Sequence, residues 1–398
     1  MRAWAFALRS LLRQPARSGL GILGVTAVGT LLFDMLLLSR GLEVSFRHLL
    51  DATGFDVRVM AAELPFAGPR LTRATATAAA IARLPEVAAA VPIAVQRATA
   101  RTGAGASTPL FLLGAGIGAP RPWVVAEGGD LPAEAGNPPA VMVNRRLAGS
   151  LHVRPGDVLM LSGPCGAEPS ALPAVPFRIA GVAEFPFEEA SQANAGMRLA
   201  DLRRVCGKDA DEADLLLVQS RDGVAASQTV QAIHAAQPEL YAFSNAELVA
   251  QFEQAGFSYF RQISVVLATV TLFFGFLLIT ALLTVSVNQR FGEIAAVRAL
   301  GFSRRRVVAD VFCQSAVLVG TGGLLALPAG FALARWLDAI LRSLPEIPAR
   351  LHFFVFQPRA LVLHLALMVV TAVLAALYPM RLVARLPIAA TLREEVVS

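Results

Sequence analysis

Four stretches of this chain are long enough and apolar enough to cross a lipid bilayer as helices. A bilayer core of about 30 Å requires about 20 apolar residues in an α-helix. The stretches span residues 18–39, 262–288, 311–334 and 360–380, and their only charged side chain is Asp34. A fifth uncharged stretch, 102–120, is rich in glycine, serine and proline, and we do not expect it to span a membrane. The sequence therefore predicts an α-helical membrane protein with four transmembrane helices.

The composition also argues against a soluble enzyme. Hydrophobic residues make up 55% of the chain and charged residues 16%, whereas average soluble domains are about 25% charged. A sequence pI of about 10.0 would suit a nucleic-acid partner, but the charge distribution does not. Residues 41–258 carry 17 basic and 22 acidic side chains, so the basic excess lies beside the apolar stretches. We interpret this excess as the positive charge that orients membrane helices, and we expect no nucleic-acid partner.

The arginines near the apolar stretches predict the side of the membrane on which each segment lies. Twelve basic residues fall in three short segments, 1–17, 289–310 and 381–398. This bias places both termini in the cytoplasm, although the short outside loop 335–359 also carries four arginines. A cleaved signal peptide is the alternative for 18–39, but that stretch is long for one and no small-residue cleavage site follows it. Segment 1–17 has the pattern of an amphipathic interfacial helix.

The segment 40–258 is long enough to form a domain of its own, outside the cytoplasm. Its hydrophobic patterns predict a mixed α/β domain inserted between the first and second spans. The predicted strands are 55–60, 87–94, 110–113, 140–143, 158–161, 177–182 and 214–218, and the predicted helices are 73–84, 144–151, 199–206 and 228–236. Asn144 is the expected N-cap of its helix. A helix over 246–256 is expected to continue into the second span as a stalk.

The three cysteines do not form a metal-binding pattern. Cys165 and Cys206 both lie in the segment 40–258, and they could pair if that segment is outside the cytoplasm. Spacing alone cannot establish the geometry of a disulfide, so the pairing stays open. Cys313 lies in an apolar stretch, where a packing role is expected.

No pattern of catalytic or metal-binding residues is found, and we predict no enzyme activity and no cofactor. The histidines are scattered, and the acidic sets resemble solvated loops rather than cation sites; these sets are Glu184, Glu188 and Glu189, and Asp209, Asp211, Glu212 and Asp214. A phosphate-binding Walker A loop requires Gly-Lys followed by Ser or Thr. The only lysine, Lys208, is followed by an aspartate. If ATP drives this protein, another subunit must bind it.

Small residues in the third span form a ridge at steps of four. They are Gly322, Ala326, Gly330 and Ala334. This spacing places them on one face of a helix and favours close packing against another helix, although an alanine-rich apolar composition could produce it by chance. Asp34 in the first span would be costly against lipid. It could reach the membrane interface, or it could belong to a proton or ion relay, for which His364 is the main polar partner available in the spans.

The loop after the second span resembles the signature of the FtsX-like/MacB-type ABC permeases. It reads Asn288-Gln289-Arg290-Phe291-Gly292-Glu293-Ile294-Ala295-Ala296-Val297-Arg298-Ala299-Leu300-Gly301. The C-terminal tail, in which Pro387 precedes Leu392-Arg393, is similar to the ending of this family. The segment 141–161 is similar to the family's periplasmic core domain, and the arrangement of one span, a large insertion and three spans also matches.

The resemblance implies the membrane subunit of an ABC complex that couples ATP hydrolysis by a separate ATPase subunit to movements of its outside domain. It assigns the coupling role to Arg290, Phe291, Glu293, Ile294, Arg298, Leu300 and Gly301. The implied partners are the ATPase subunit, a second copy or a paralogous permease, and a periplasmic adaptor or a lipoprotein or lipid cargo. Two alternatives remain: a transmembrane signal transducer that activates an outside partner such as a cell-wall hydrolase, and an anchored receptor without ATP coupling. The sequence does not identify the cargo.

Overall fold

The computed structural model describes residues 15–62, 69–103, 105, 107–116, 120–163, 172–207, 210–254, 258–289, 303–344, 348 and 350–384. The chain divides into two compact units. The helical unit comprises residues 1–42, 256–339 and 353–398, and the sheet unit comprises residues 43–255 and 340–352. The predicted amphipathic helix before residue 15 and most of the C-terminal tail lie outside the described residues.

Helices and strands alternate along the sheet unit, whereas the helical unit consists of long helices. The described helices are α1 (Pro15–Asp51), α2 (Ala74–Ile81), α3 (Arg145–Leu151), α4 (Leu199–Cys206), α5 (Ala226–Ala236), α6 (Asn245–Phe252), α7 (Ser258–Asn288), α8 (Arg304–Arg342) and α9 (Pro358–Ala384). The described strands are β1 (Val57–Met60), β2 (Leu71–Thr72), β3 (Val87–Arg101), β4 (Ser107–Ala115), β5 (Val124–Gly128), β6 (Ala140–Val143), β7 (Val158–Ser162), β8 (Val175–Glu184), β9 (Asn194–Arg198), β10 (Glu212–Ala213), β11 (Leu215–Ser220) and β12 (Tyr241–Ser244).

Four helices of the described chain are long and apolar enough to cross a membrane: α1, α7, α8 and α9. They coincide with the four predicted spans, and each is longer than the apolar stretch it contains. Their shared interior is built from side chains such as Val25, Leu32, Ile279 and Leu283. Large apolar side chains also cover the outside of the unit; Val266 and Phe274 of α7 are each 61% exposed. Such a surface suits contact with lipid tails and not with water.

The sheet unit is built on a ten-stranded mixed sheet, which confirms the predicted mixed α/β domain between the first and second spans. The strand order is β12-β1-β11-β3-β4-β9-β6-β8-β5, and β7 pairs with β3 and β8. The β4–β9 and β6–β8 pairs are parallel, and the other pairs in this sheet are antiparallel. A separate two-stranded sheet joins β10 to β2.

Local signals fix several boundaries of the sheet unit. Asn144 caps α3, since its side-chain oxygen accepts a hydrogen bond from the backbone N–H of Leu147 at 2.9 Å. Ser244 caps α6 in the same way and forms a capping box with Glu247. The helix α6 ends at Phe252 and α7 begins at Ser258; residues 255–257, where the predicted stalk would continue, lie outside the described residues.

Candidate functional site

The residues predicted to couple the chain to an ATPase lie between α7 and α8. Arg290, Phe291, Glu293, Ile294, Arg298, Leu300 and Gly301 are outside the described residues. The helix α7 ends at Asn288 and α8 begins at Arg304, so this segment is the connection between two membrane-length helices. Their coupling role stays a prediction that comes from the family resemblance.

The small-residue ridge of α8 faces α1 inside the helical unit. A Cβ atom added to Gly322 would lie 2.6 Å from Cγ1 of Val25, and one added to Gly330 would lie 2.9 Å from Cδ1 of Phe33. These distances are too short for real contacts, so both glycines allow the helices to approach closely. Ala334, at the end of the ridge, is buried in a cluster that includes Phe33.

The α1 side of this contact is equally compact. A Cβ atom added to Gly29 would lie 2.7 Å from the Cβ of Ala326. The hydroxyls of Thr26 and Thr30 donate to the carbonyl oxygens of Gly322 and Ala326 at 3.3 Å and 3.5 Å. Hydroxyl-to-carbonyl bonds and small residues are the usual devices of helix packing in lipid. We call this contact between α1 and α8 the seam.

Asp34 lies beside the seam and does not reach the membrane interface as an exposed side chain. It is 1% exposed, and its Oδ1 atom would be 3.5 Å from a Cβ atom added to Gly330. The carboxyl group of Asp34 is therefore enclosed by protein, because the neighbouring helix covers it.

A buried arginine anchors the part of α1 that belongs to the sheet unit. The guanidinium of Arg58, on β1, donates to Oδ1 of Asn245 and to the carbonyl oxygen of Leu50. The side-chain amide of Asn245 donates to Asp51 at 2.7 Å and to the carbonyl of Phe55 at 3.0 Å. Burial lowers the pKa of Arg58 to about 10, and the nearby carboxylates of Asp51 and Asp56 oppose that shift.

These contacts join the end of α1, strand β1 and the start of α6. The sequence analysis missed them, because an arginine within a predicted strand carries no local signal of burial. We call this group, formed by Asp51, Arg58 and Asn245, the anchor network.

A segment between α8 and α9 belongs to the sheet unit, and we call it the strap (residues 340–352). Arg350 forms an ion pair with Glu184, and Pro348 forms an isolated β-bridge with Glu189. The backbone N–H of His352 donates to Oγ of Ser45 at 2.7 Å. The sequence predicted only a short loop here, since long-range pairing leaves no mark in local composition.

The first acidic set is held by protein contacts. Glu184 pairs with Arg350, as described above. Glu188 accepts a hydrogen bond from the side-chain amide of Asn144 at 3.2 Å. Burial raises the pKa of Glu188, while its hydrogen bonds to Asn144, Phe185 and Asn194 act in the opposite direction.

The second acidic set is also partnered. Asp211 accepts hydrogen bonds from the backbone N–H and the hydroxyl of Thr75 and pairs with Arg203. Burial raises the pKa of Asp211, but these bonds and the charge of Arg203 together outweigh burial and hold the pKa below its usual value. Asp214 pairs with Arg70 at 3.0 Å. Asp209 lies outside the described residues. Within the described parts of the chain, no group of three or more His, Cys, Asp or Glu side chains could hold a metal ion.

The two cysteines within the described residues differ in their bonding. Cys206, the last residue of α4, is disulfide-bonded, and Cys313 is buried and forms no disulfide. The remaining cysteine, Cys165, lies outside the described residues. Disulfides persist in oxidising compartments such as the periplasm, so the bond at Cys206 suits a sheet unit outside the cytoplasm.

We expect thiol counting on the full chain to report this bond. In denatured protein from native membranes, one thiol should react with a maleimide before reduction and three after it, because we expect Cys165 to be the partner of Cys206. In a Cys206→Ser control, Cys165 and Cys313 should both react without reduction. Reaction of all three cysteines in the unreduced wild type would contradict the pairing.

Two family models match the chain. The FtsX-like permease C-terminal matches residues 265–388, and the MacB-like periplasmic core domain matches residues 18–236, more than half of the chain. The first match contains the predicted coupling segment, and the second contains most of the ten-stranded sheet. No curated protein matches the chain.

Solved structures of three bacterial domains are similar to part of the chain. The extracellular domain of the noncanonic ABC-type transporter YknZ from Gram-positive bacteria is 15% identical, with a TM-score of 0.35, over 48% of this chain and 98% of that one. The periplasmic region of MacB from Actinobacillus actinomycetemcomitans is 11% identical, with a TM-score of 0.39, over 50% of this chain and 94% of that one. A domain of a putative permease protein from Porphyromonas gingivalis is 16% identical, with a TM-score of 0.32, over 48% of this chain and 88% of that one.

The family matches agree with the architecture. The MacB-like match ends within the sheet unit, and the FtsX-like match spans the three helices that follow it. Permeases of this kind work with a partner subunit that carries the ATPase activity. This multi-pass membrane protein therefore belongs to the FtsX-like, MacB-type permeases, the membrane subunits of ABC transporters.

Proposed function

We propose that this chain, in a bacterial inner membrane with both termini in the cytoplasm, uses ATP hydrolysis by a separate ATPase subunit to move its sheet unit. That movement exports a substrate or extracts it at the outer face of the membrane. The coupling residues are those of the segment between α7 and α8, with Glu293 and Arg298 in contact with the ATPase.

One observation carries the proposal: each membrane-length helix is joined through the chain to a segment of the sheet unit. The helix α1 contributes its residues up to Leu42 to the helical unit and its last residues to the sheet unit. The strand and helix that precede α7 belong to the sheet unit, and the strap joins α8 to α9. We therefore expect a displacement of these helices to be passed through the chain into the sheet unit.

The contacts within each unit support the transmission of such a displacement. The seam holds α1 to α8 by interlocking small residues, so we propose that Gly322, Ala326, Gly330 and Ala334 make these two helices move together. The anchor network holds the end of α1 to β1 and α6, and the strap is held by Glu184, Glu189 and Ser45. Close-packed interiors of this kind transmit strain and do not absorb it.

We favour transport over signalling because the sheet unit is large for a minimal regulator. The partners proposed for this activity are the ATPase subunit, a second copy or a paralogous permease, and a periplasmic adaptor or a lipoprotein or lipid cargo. Release of cargo from membranes, measured beside activation of a cell-wall hydrolase by the same complex, separates the two activities.

The test of the proposal is purification of the tagged full chain from its native membranes in mild detergent, followed by an assay of magnesium-dependent ATP hydrolysis. A partner with a Walker A loop should co-purify. Glu293→Ala should lower the hydrolysis at least about fivefold, the lower end of typical coupling energies between two sites. The control Glu239→Ala removes an exposed glutamate of the sheet unit and should leave hydrolysis unchanged. A chain that purifies without an ATPase, or equal activity of both variants, would contradict the proposal.

A further inference from the structure

Two ionisable side chains are enclosed by the membrane-length helices. Asp34 on α1 is 1% exposed, and His364 on α9 is fully buried. Among the described residues, six buried side-chain polar atoms have no hydrogen-bond partner, and four of them belong to this pair: both carboxyl oxygens of Asp34 and both ring nitrogens of His364. Buried polar groups in native proteins are almost always partnered, so this concentration requires an explanation.

Both groups lie around Phe33 at the seam. Oδ1 of Asp34 would be 3.5 Å from a Cβ atom at Gly330, a position that has none. The ring of His364 stands edge-on to that of Phe33, with 5.4 Å between the ring centres. The carbonyl of Gly323 lies near the histidine ring, but neither ring nitrogen has a hydrogen-bond partner.

Several other polar groups of the helical unit are engaged elsewhere. The hydroxyls of Thr26 and Thr30 donate to carbonyls across the seam. Asp338, the other buried aspartate of this unit, accepts a hydrogen bond from the backbone N–H of Phe353 at 2.8 Å.

Cations do not balance the charge of Asp34 within the described part of the unit. The arginines on or near the described helices are exposed or half-buried; they are Arg40 on α1, Arg261 on α7, Arg305, Arg335 and Arg342 on α8, and Arg359 and Arg381 on α9. None of them forms an ion pair with Asp34, whose carboxyl oxygens have no described partner. The described part of α7 presents no ionisable side chain beyond Arg261 and Tyr259, both of which are exposed.

The chemistry of this environment selects the ligand. An unpaired carboxylate buried among apolar side chains costs several kcal/mol. A divalent metal ion would need about six oxygen ligands, and the site offers one carboxyl group. A proton needs no set of coordinating ligands, and its binding neutralises the charge that makes the burial of Asp34 costly.

We propose that Asp34 and His364 form a proton-binding site within the membrane-spanning helices. Asp34 holds the proton as a carboxylic acid, and His364, whose ring packs edge-on against Phe33, is a second proton acceptor. The neutral acid keeps α1 packed against Gly330; loss of the proton places a negative charge in the seam and loosens it. This site goes beyond the coupling to an ATPase proposed above and does not depend on it.

The direct test is infrared spectroscopy of the purified full chain across a pH series. A protonated carboxyl group has an infrared band in the carbonyl region, at a frequency where a carboxylate does not absorb. Wild-type protein at neutral pH should show such a band, and ¹³C labelling of the aspartate carboxyl groups should shift it. This measurement requires no substitution, so it does not depend on whether a variant folds.

Matched variants assign the band to Asp34. Asp34→Asn, which keeps the size of the side chain, should remove the band, whereas Asp338→Asn should leave it, because Asp338 has a backbone donor. His364→Gln should change the pH at which the band disappears. The proposal is overturned if the wild type shows no aspartic acid band at any pH at which it is folded, or if the band survives Asp34→Asn. An unchanged pH in His364→Gln would remove His364 from the site.

Discussion

Replacing Gly41 by alanine should destabilise the full chain by about 3 kcal/mol or more, at the upper end of the cost of overpacking. Gly41 lies in α1, where alanine is ordinarily favoured over glycine. Its position is exceptional because a Cβ atom there would lie 2.1 Å from the carbonyl oxygen of Phe353 and 2.9 Å from the backbone nitrogen of Val355. The obstacle is backbone, which cannot rotate away as a side chain can.

The control for this experiment is Gly320→Ala in α8. Gly320 also lies within a membrane-length helix, but a Cβ atom there would meet nothing within 4 Å. This variant should melt at the same temperature as the wild type or slightly above it, since alanine in a helix gains about 0.5–1 kcal/mol over glycine. Thermal melting of both variants in detergent measures the difference. Equal melting temperatures for Gly41→Ala and Gly320→Ala would show that α1 does not pack on the 353–355 backbone.

Asn245→Ala should have the second largest effect, a loss of about 2–3 kcal/mol from the sheet unit. The substitution removes the acceptor of the buried Arg58 guanidinium and the donor to the Phe55 carbonyl. A buried, charged hydrogen-bond donor left without its acceptor costs more than a lost surface contact. Gln231→Ala, which removes an exposed amide of α5, should change the melting temperature very little.

A double substitution separates this explanation from simple loss of packing. If the unpaired guanidinium causes the damage, Arg58→Met should be less harmful in the Asn245→Ala background than in the wild type. The two changes together should then cost less than the sum of the single changes, by roughly 1 kcal/mol or more. Additive losses would mean that Arg58 and Asn245 contribute independently.

The membrane helices could be predicted from the sequence because their signal is long and local. Four long apolar stretches, charged only at Asp34, identified α1, α7, α8 and α9, but not where these helices end. The helix α1 continues past Arg40 and Glu43 to Asp51. Charged side chains mark the edge of an apolar stretch, and they do not terminate a helix.

The strands of the sheet unit were predicted in part, and β5 and β9 show why two of the others were missed. Strand β9 reads Asn-Ala-Gly-Met-Arg and is buried along its whole length, while β5 lies at the edge of the sheet and is exposed along its whole length. Neither shows the alternation of apolar and polar residues that predicts a half-buried strand. Their positions depend on neighbouring strands that are distant in sequence.

Only the part of the candidate site that lies along one helix could be predicted from residue spacing. The steps of four from Gly322 to Ala334 gave the ridge, but no local pattern could identify Val25, Gly29 and Phe33 as its partners. The anchor network and the strap join residues separated by more than one hundred positions, so their contacts depend on the folded chain. The coupling residues came from the family resemblance and stay a prediction.

The central claim is that ATP bound by the partner subunit moves the sheet unit, and a distance measurement tests it most directly. Spin labels would be placed at Gly149→Cys in the sheet unit and Gly320→Cys in the helical unit, in a Cys313→Ala background. Both glycines have open space around an added Cβ atom, so the labels should not disturb the fold. In the complex with its ATPase, we predict that the distribution of distances between the labels shifts on ATP binding, and that Glu293→Ala abolishes the shift. The same distribution with and without ATP would contradict this account.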